Sequence, residues 1–139
     1  DVTEGLERFH AAQAPVIGAV MAELARGRKE THWMWFVFPQ LRGLGRSERA
    51  RFYGLDGRGE ARAYAADAVL GPRLRAGCEL MLSHAGRAPE EVLGAVDATK
   101  LRSCATLFAE CTEAAAFPAV LAAFYGGERC AATREALGA

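Results

Sequence analysis

The chain has 139 residues, 51% apolar and 24% charged, with 17 basic residues balancing 17 acidic ones. That composition excludes an intrinsically disordered chain, which carries fewer apolar residues and more net charge, and no apolar run nears the roughly 18 residues of a membrane span. Asp1-Val2-Thr3-Glu4 lacks the basic-then-apolar order of a secretory signal, so the expectation is a single cytoplasmic domain over 1–139 with its own core.

Helical periodicity accounts for the elements in chain order. A short helix is expected at Thr3–Ala12. Ile17, Val20, Met21 and Leu24 follow the i, i+3, i+4, i+7 rule, with Pro15 as a first-turn residue and Gly27 as a stop. Trp33–Phe38 is rich in β-formers, but no second run of that kind exists to pair with it. It reads as a short buried helix, capped by Thr31 and ended by Pro39. Short helices follow at Ser47–Tyr53, with Ser47 as cap, and at Gly59–Ala66. Leu74, Cys78, Met81 and Leu82 form the next stripe, after Pro72 and before Gly86. Pro89–Gly94 is short. Leu101, Cys104, Ala105, Phe108 and Cys111 line a longer helix opened by Asp97 as N-cap. Phe117, Val120, Leu121 and Phe124 precede the Gly126-Gly127 stop, and Thr133–Leu137 closes the chain. Twenty-nine alanines favour helix throughout. The expected fold is all-α: a compact single-domain orthogonal bundle of about seven to nine short helices.

Cys78, Cys104, Cys111 and Cys130 include no CxxC pair and no histidine at ligand spacing, so neither a metal site nor a cofactor is expected. Cys104 and Cys111 would stand about 10 Å apart along a helix at ~1.5 Å per residue, beyond the roughly 7 Å reach of a disulfide. The cysteines read as small core residues in a reducing compartment.

The zero net charge hides a dipole, since residues 26–51 alone carry +5. Arg28, Lys29, His32, Trp33, Trp35, Gln40 and the turn Gly43-Leu44-Gly45-Arg46-Ser47 all fall in that stretch. Glycines let backbone amides approach an anion, a helix start points N–H groups at it, and Arg46 offers a fork to phosphate oxygens. A tryptophan face offers a stacking surface for a base. The plainer reading is a turn, a core tryptophan and a solvated face, because GLGRS lacks the strand and spacing of a P-loop or Rossmann fingerprint.

A second cluster is Asp97-Ala98-Thr99-Lys100-Leu101-Arg102-Ser103. Asp97 serves either as a helix cap or as the acid–base carboxylate of a cleft, with Lys100 one turn on to tune it. Fifteen arginines accompany only two lysines, Lys29 and Lys100, one in each cluster. A lysine kept in so arginine-rich a chain points to a compact ammonium beside a carboxylate or carbonyl.

Nearly the whole chain resembles a known family. The resemblance is carried by Leu6-Glu7-Arg8-Phe9, Arg28-Lys29, His32-Trp33-Met34-Trp35-Phe36-Val37-Phe38-Pro39-Gln40-Leu41, Gly43-Leu44-Gly45-Arg46-Ser47 and Asp97–Ser103. It is similar to the bacterial domain of unknown function 1810 family. The resemblance implies a small, mainly helical, cytoplasmic bacterial protein and brings no agreed activity. Where that family usually has two adjacent serines, this chain has Ser103-Cys104.

Three functions compete. The first is binding of a phosphate-bearing nucleotide or ADP-ribose-like ligand, with hydrolysis at a glycosidic carbon. Arg28, Lys29, Arg46 and the 43–47 turn would hold phosphate, with Arg102, Ser103, Gln40 and His32 nearby. Trp33 or Trp35 would stack the base, and Asp97 and Lys100 would act on it. The second is a nucleic-acid or acidic-protein binding module, supported by the +5 stretch and opposed by a pI near 7.0. The third is structural: the clusters are ion pairs and caps that join residues 26–51 to the Asp97 helix. No membrane partner is expected, and no pattern sets an oligomeric state.

Overall fold

Ten α-helices occur among residues 5–139, the part of the chain that the computed structural model describes. They are α1 (Glu7–Gln13), α2 (Ile17–Ala25), α3 (Met34–Val37), α4 (Glu48–Phe52), α5 (Arg58–Ala66), α6 (Leu70–Leu82), α7 (Pro89–Leu93), α8 (Ala95–Cys111), α9 (Ala116–Tyr125) and α10 (Ala131–Leu137). Within the expected span Thr3–Ala12, α1 covers the part from Glu7 and runs on to Gln13; Thr3 and Glu4 lie outside the described residues. Ten exceeds the expected seven to nine because short elements stay separate. A single residue, Gly94, divides α7 from α8, and its φ of +86° is a conformation that other residues adopt only with strain. No strand forms among the described residues. The 40–42 segment instead makes one isolated bridge, in which the Leu55 N–H donates to the Gln40 carbonyl at 2.9 Å and the Arg42 N–H to the Leu55 carbonyl at 2.8 Å.

The core is organised around α8. Residues 103–108 of that helix are all buried, which is possible only if neighbours cover most of its circumference. Helices α5, α7, α9 and α10 pack on it, while α6 joins α2, α5 and α9. Phe108 stacks on Phe117 of α9 at 5.3 Å between ring centroids and meets Tyr64 of α5 at 5.7 Å. No helix among the described residues is long and apolar enough to cross a membrane.

Two expected caps and one expected first-turn residue differ. Helix α8 begins at Ala95, so Asp97 lies inside the first turn and makes no cap bond. Its carboxylate is drawn instead to Lys29, from the turn before α3, and to Lys100 one turn along α8. Thr31 does not cap α3, which starts after Trp33; its hydroxyl donates to Glu23 at 2.6 Å. Pro15 precedes α2 by two residues rather than sitting in its first turn. Ser47 does cap α4, accepting from the Ala50 N–H at 3.1 Å.

Candidate functional site

The site is built on the turn between α2 and α3, and a buried carboxylate shapes that turn. Glu23 occupies the inward face of α2 and is 3% exposed. It accepts from the N–H groups of Glu30 (2.7 Å) and Thr31 (2.9 Å), the Thr31 hydroxyl (2.6 Å) and the Trp33 indole (3.0 Å). Burial by itself would push this carboxyl up, but the four donors outweigh it and hold Glu23 down to about 2. The same turn is tied to α7, because the Lys29 N–H donates to the Val92 carbonyl at 2.8 Å.

With the backbone so held, Lys29 points inward. Its ammonium lies 2.9 Å from Asp97 Oδ2, donates to the Thr31 carbonyl at 2.6 Å and sits 5.0 Å above the Trp33 ring. Lys100, one helical turn beyond Asp97, approaches the other carboxylate oxygen, Oδ1, at 3.4 Å. Its ammonium also lies 5.0 Å over the Trp35 ring, which carries the Arg49 guanidinium at 5.2 Å as well. The two lysines thus share one carboxylate but differ in access: the Lys29 side chain is 8% exposed and that of Lys100 is 21%.

Lys100 and Gln40 stand between two openings. One is a narrow slot bounded by Trp35, Phe38 and Tyr53. The other is a groove of about 430 Å³ between the 40–45 loop, the first turns of α8 and the start of α10. Leu44 and Gly45 form one wall, Val96, Thr99 and Ser103 the second, and Cys130 and Ala132 the end. Gly45 admits no side chain, since a Cβ there would stand 2.3 Å from the Ala50 Cβ. That close approach seats the 43–47 turn on α4. Ser47→Ala is expected to lower stability by about 1 kcal/mol through loss of the α4 cap, measured by denaturant unfolding.

The structure therefore brings together Lys29, Trp35, Gln40, Gly45, Asp97, Lys100 and Ser103. Other candidates lie elsewhere. Arg28 extends into solvent, 3.9 Å from Glu30, and His32, Gly43 and Arg46 are exposed and do not line the groove. Trp33 is 1% exposed and belongs to the core, so it presents no face for stacking. The oxygen of Ser47 is occupied by its own helix. Arg102 turns to Glu128, at 2.6 Å. No group of three or more His, Cys, Asp or Glu side chains able to hold a metal occurs among the described residues.

The family model described as "Protein of unknown function (DUF1810)" matches residues 3–137. The chain belongs to this family. A solved structure similar to it is that of the conserved hypothetical protein Rv1873 from Mycobacterium tuberculosis, 49% identical over 96% of each chain, with a TM-score of 0.94. Among curated proteins nothing matches. For this DUF1810 chain the functional reading rests on the groove itself.

Glu23 was not among the expected site residues, and Cys130, expected in the core with the other cysteines, is instead half-buried and lines the groove. Glu23 falls three residues after the buried Val20, an acid on the core-facing side of an apolar stripe, which is a legible signal. Cys130 follows Gly126-Gly127-Glu128-Arg129 and belongs to no apolar stripe, unlike Cys78, Cys104 and Cys111. That difference marks it as the cysteine least suited to a core.

Proposed function

We propose that this protein binds a small phosphate-bearing ligand of nucleotide or ADP-ribose type in the groove beside Lys100. The observation that carries this reading is the Lys100 ammonium, oriented by Asp97 and the Trp35 ring at the mouth of the groove and still partly open to solvent. A preoriented ammonium at a partly apolar groove binds an anionic oxygen more strongly than a free surface lysine does, because its ordering cost is already met and the medium screens it less. Gln40 and Ser103 supply neutral hydrogen-bonding groups at the same groove. The exposed Arg49 on the Trp35 ring can swing aside to admit a base.

Binding is better supported than hydrolysis. Each Asp97 oxygen is within ion-pair distance of a lysine, at 2.9 and 3.4 Å. A general base or a group stabilising a sugar cation needs an oxygen facing the reacting atom. In this geometry Asp97 is a positioning residue for Lys100.

Titration with AMP, ADP-ribose and inorganic pyrophosphate at low salt tests the reading, followed by thermal shift and calorimetry. At least one is expected to raise Tm by mass action. Lys100→Met should weaken that binding about 10-fold or more, while changing stability by less than ~1 kcal/mol, since Lys100 is partly exposed. Absence of any shift above ~1 °C at millimolar ligand overturns the proposal.

A further inference from the structure

Cys130 shares the groove with Lys100 and Ser103 and opens α10. Its backbone is anchored by donation from its own N–H to the Thr106 hydroxyl at 2.9 Å. The Ser103 hydroxyl donates to the sulfur at 3.5 Å, and the Thr133 hydroxyl and the N–H groups of Ala132 and Thr133 lie beside it. Thr133 is 0% exposed, and its hydroxyl completes no hydrogen bond, the one buried side-chain orphan among the described residues. A buried hydroxyl without an acceptor costs free energy, and a sulfur anion next to it supplies one.

Burial by itself would push the Cys130 thiol up, but these donors outweigh it and hold it below its ordinary value. The other cysteines behave oppositely. Burial pushes Cys78 up to about 12, Cys104 well above its usual range and Cys111 upward as well. Among the four, Cys130 alone combines a stabilised anion with access from solvent through a groove.

We propose that Cys130 is a thiolation site that exchanges with low-molecular-weight disulfides carrying negative charge, which Lys100 draws into the groove. The thiol first releases its proton to solvent. Cys130 Sγ then attacks one sulfur of the incoming disulfide, a new S–S bond forms, the old one breaks, and the departing thiolate takes up a proton. Lys100 is the charged side chain lining the groove with Cys130, and with Lys29 it leaves one positive charge in excess of the Asp97 carboxylate the two share; Arg102 is paired with Glu128, and Arg129 and Arg134 with Glu110. The reaction does not depend on nucleotide binding.

The test incubates fully reduced protein with oxidised glutathione or with the cationic disulfide cystamine, read by intact mass and peptide mapping. One mixed disulfide is expected, on Cys130, and Cys130→Ser should take none. Relative to free N-acetylcysteine, the protein should favour oxidised glutathione over cystamine on the order of 10-fold at low salt, and Lys100→Met should lose that preference while still reacting. The rate should rise with a midpoint below the ordinary thiol value of about 8.5. First reaction at Cys78, Cys104 or Cys111, a midpoint at or above that value, or no charge preference overturns the proposal.

Discussion

Glu23→Ala is expected to lower stability by about 3–5 kcal/mol, a drop in Tm of roughly 10–15 °C for a chain of this size. The carboxylate is the acceptor for two backbone N–H groups, one hydroxyl and the Trp33 indole. Alanine leaves those donors facing a void, and water reaches a 3% exposed site poorly. The same group makes stability depend on pH. It titrates near 2 in the folded chain, against about 4.3 when unfolded. As pH falls the unfolded state takes up the proton first, so the contribution is complete above about 4.3 and disappears as pH approaches 2. It amounts to about 3 kcal/mol at neutral pH. Denaturant unfolding at pH 7 and pH 3 checks both statements. The native protein should lose roughly half of that contribution over the interval, and Glu23→Ala should lose less. A variant within ~1 kcal/mol of the native protein at pH 7 would falsify this account of the turn.

Asp97→Ala is the second large effect, at about 3 kcal/mol. The Lys29 side chain is 8% exposed and loses its carboxylate, while Lys100 is released from its position over Trp35. Lys29→Met should cost less, because Asp97 keeps Lys100 as a partner at 3.4 Å. Combining Lys29→Met with Asp97→Leu should recover much of the loss, since an apolar pair of similar volume often replaces a buried ion pair without penalty. The resulting double-mutant cycle measures the pair directly. An additive cycle would mean that the two charges are solvated independently. Asp97→Ala should also weaken the anion binding proposed for Lys100, through loss of orientation.

The contrast between the two lysines resolves an ambiguity that composition leaves open. Both stand out in an arginine-rich chain, and both pair with Asp97. Lys29 is enclosed by Trp33, Thr31 and Asp97, the environment of a structural ion pair. Lys100 faces two openings. The structural reading therefore fits Lys29, and the binding proposed above rests on Lys100.

Most helices were legible from periodicity and punctuation. Val20 and Leu24, Leu74 and Cys78, and Leu101, Cys104 and Phe108 all face the core, because an apolar stripe at helical spacing has one way to leave water. Element ends were less legible where a side chain had two uses. Asp97 and Thr31 have the chemistry of caps, yet a buried ammonium and a buried carboxylate outcompete the helix ends for them. Trp33 and Trp35 could not be ranked from sequence, since residues two apart on a helix turn to different faces and only packing decides which face is covered. The structure covers Trp33 and leaves Trp35 half-buried.

The amino-acid sequence by itself determined the helical class, the core stripes and the separation of charge, because these follow from local spacing and from the free energy of removing hydrocarbon from water. The tertiary structure alone decided that residues 29–45 and 96–103 meet across a groove, and that Cys130, from a third stretch, closes its end. Such meetings are set by how helices stack on α8, a long-range property that no spacing along the chain encodes.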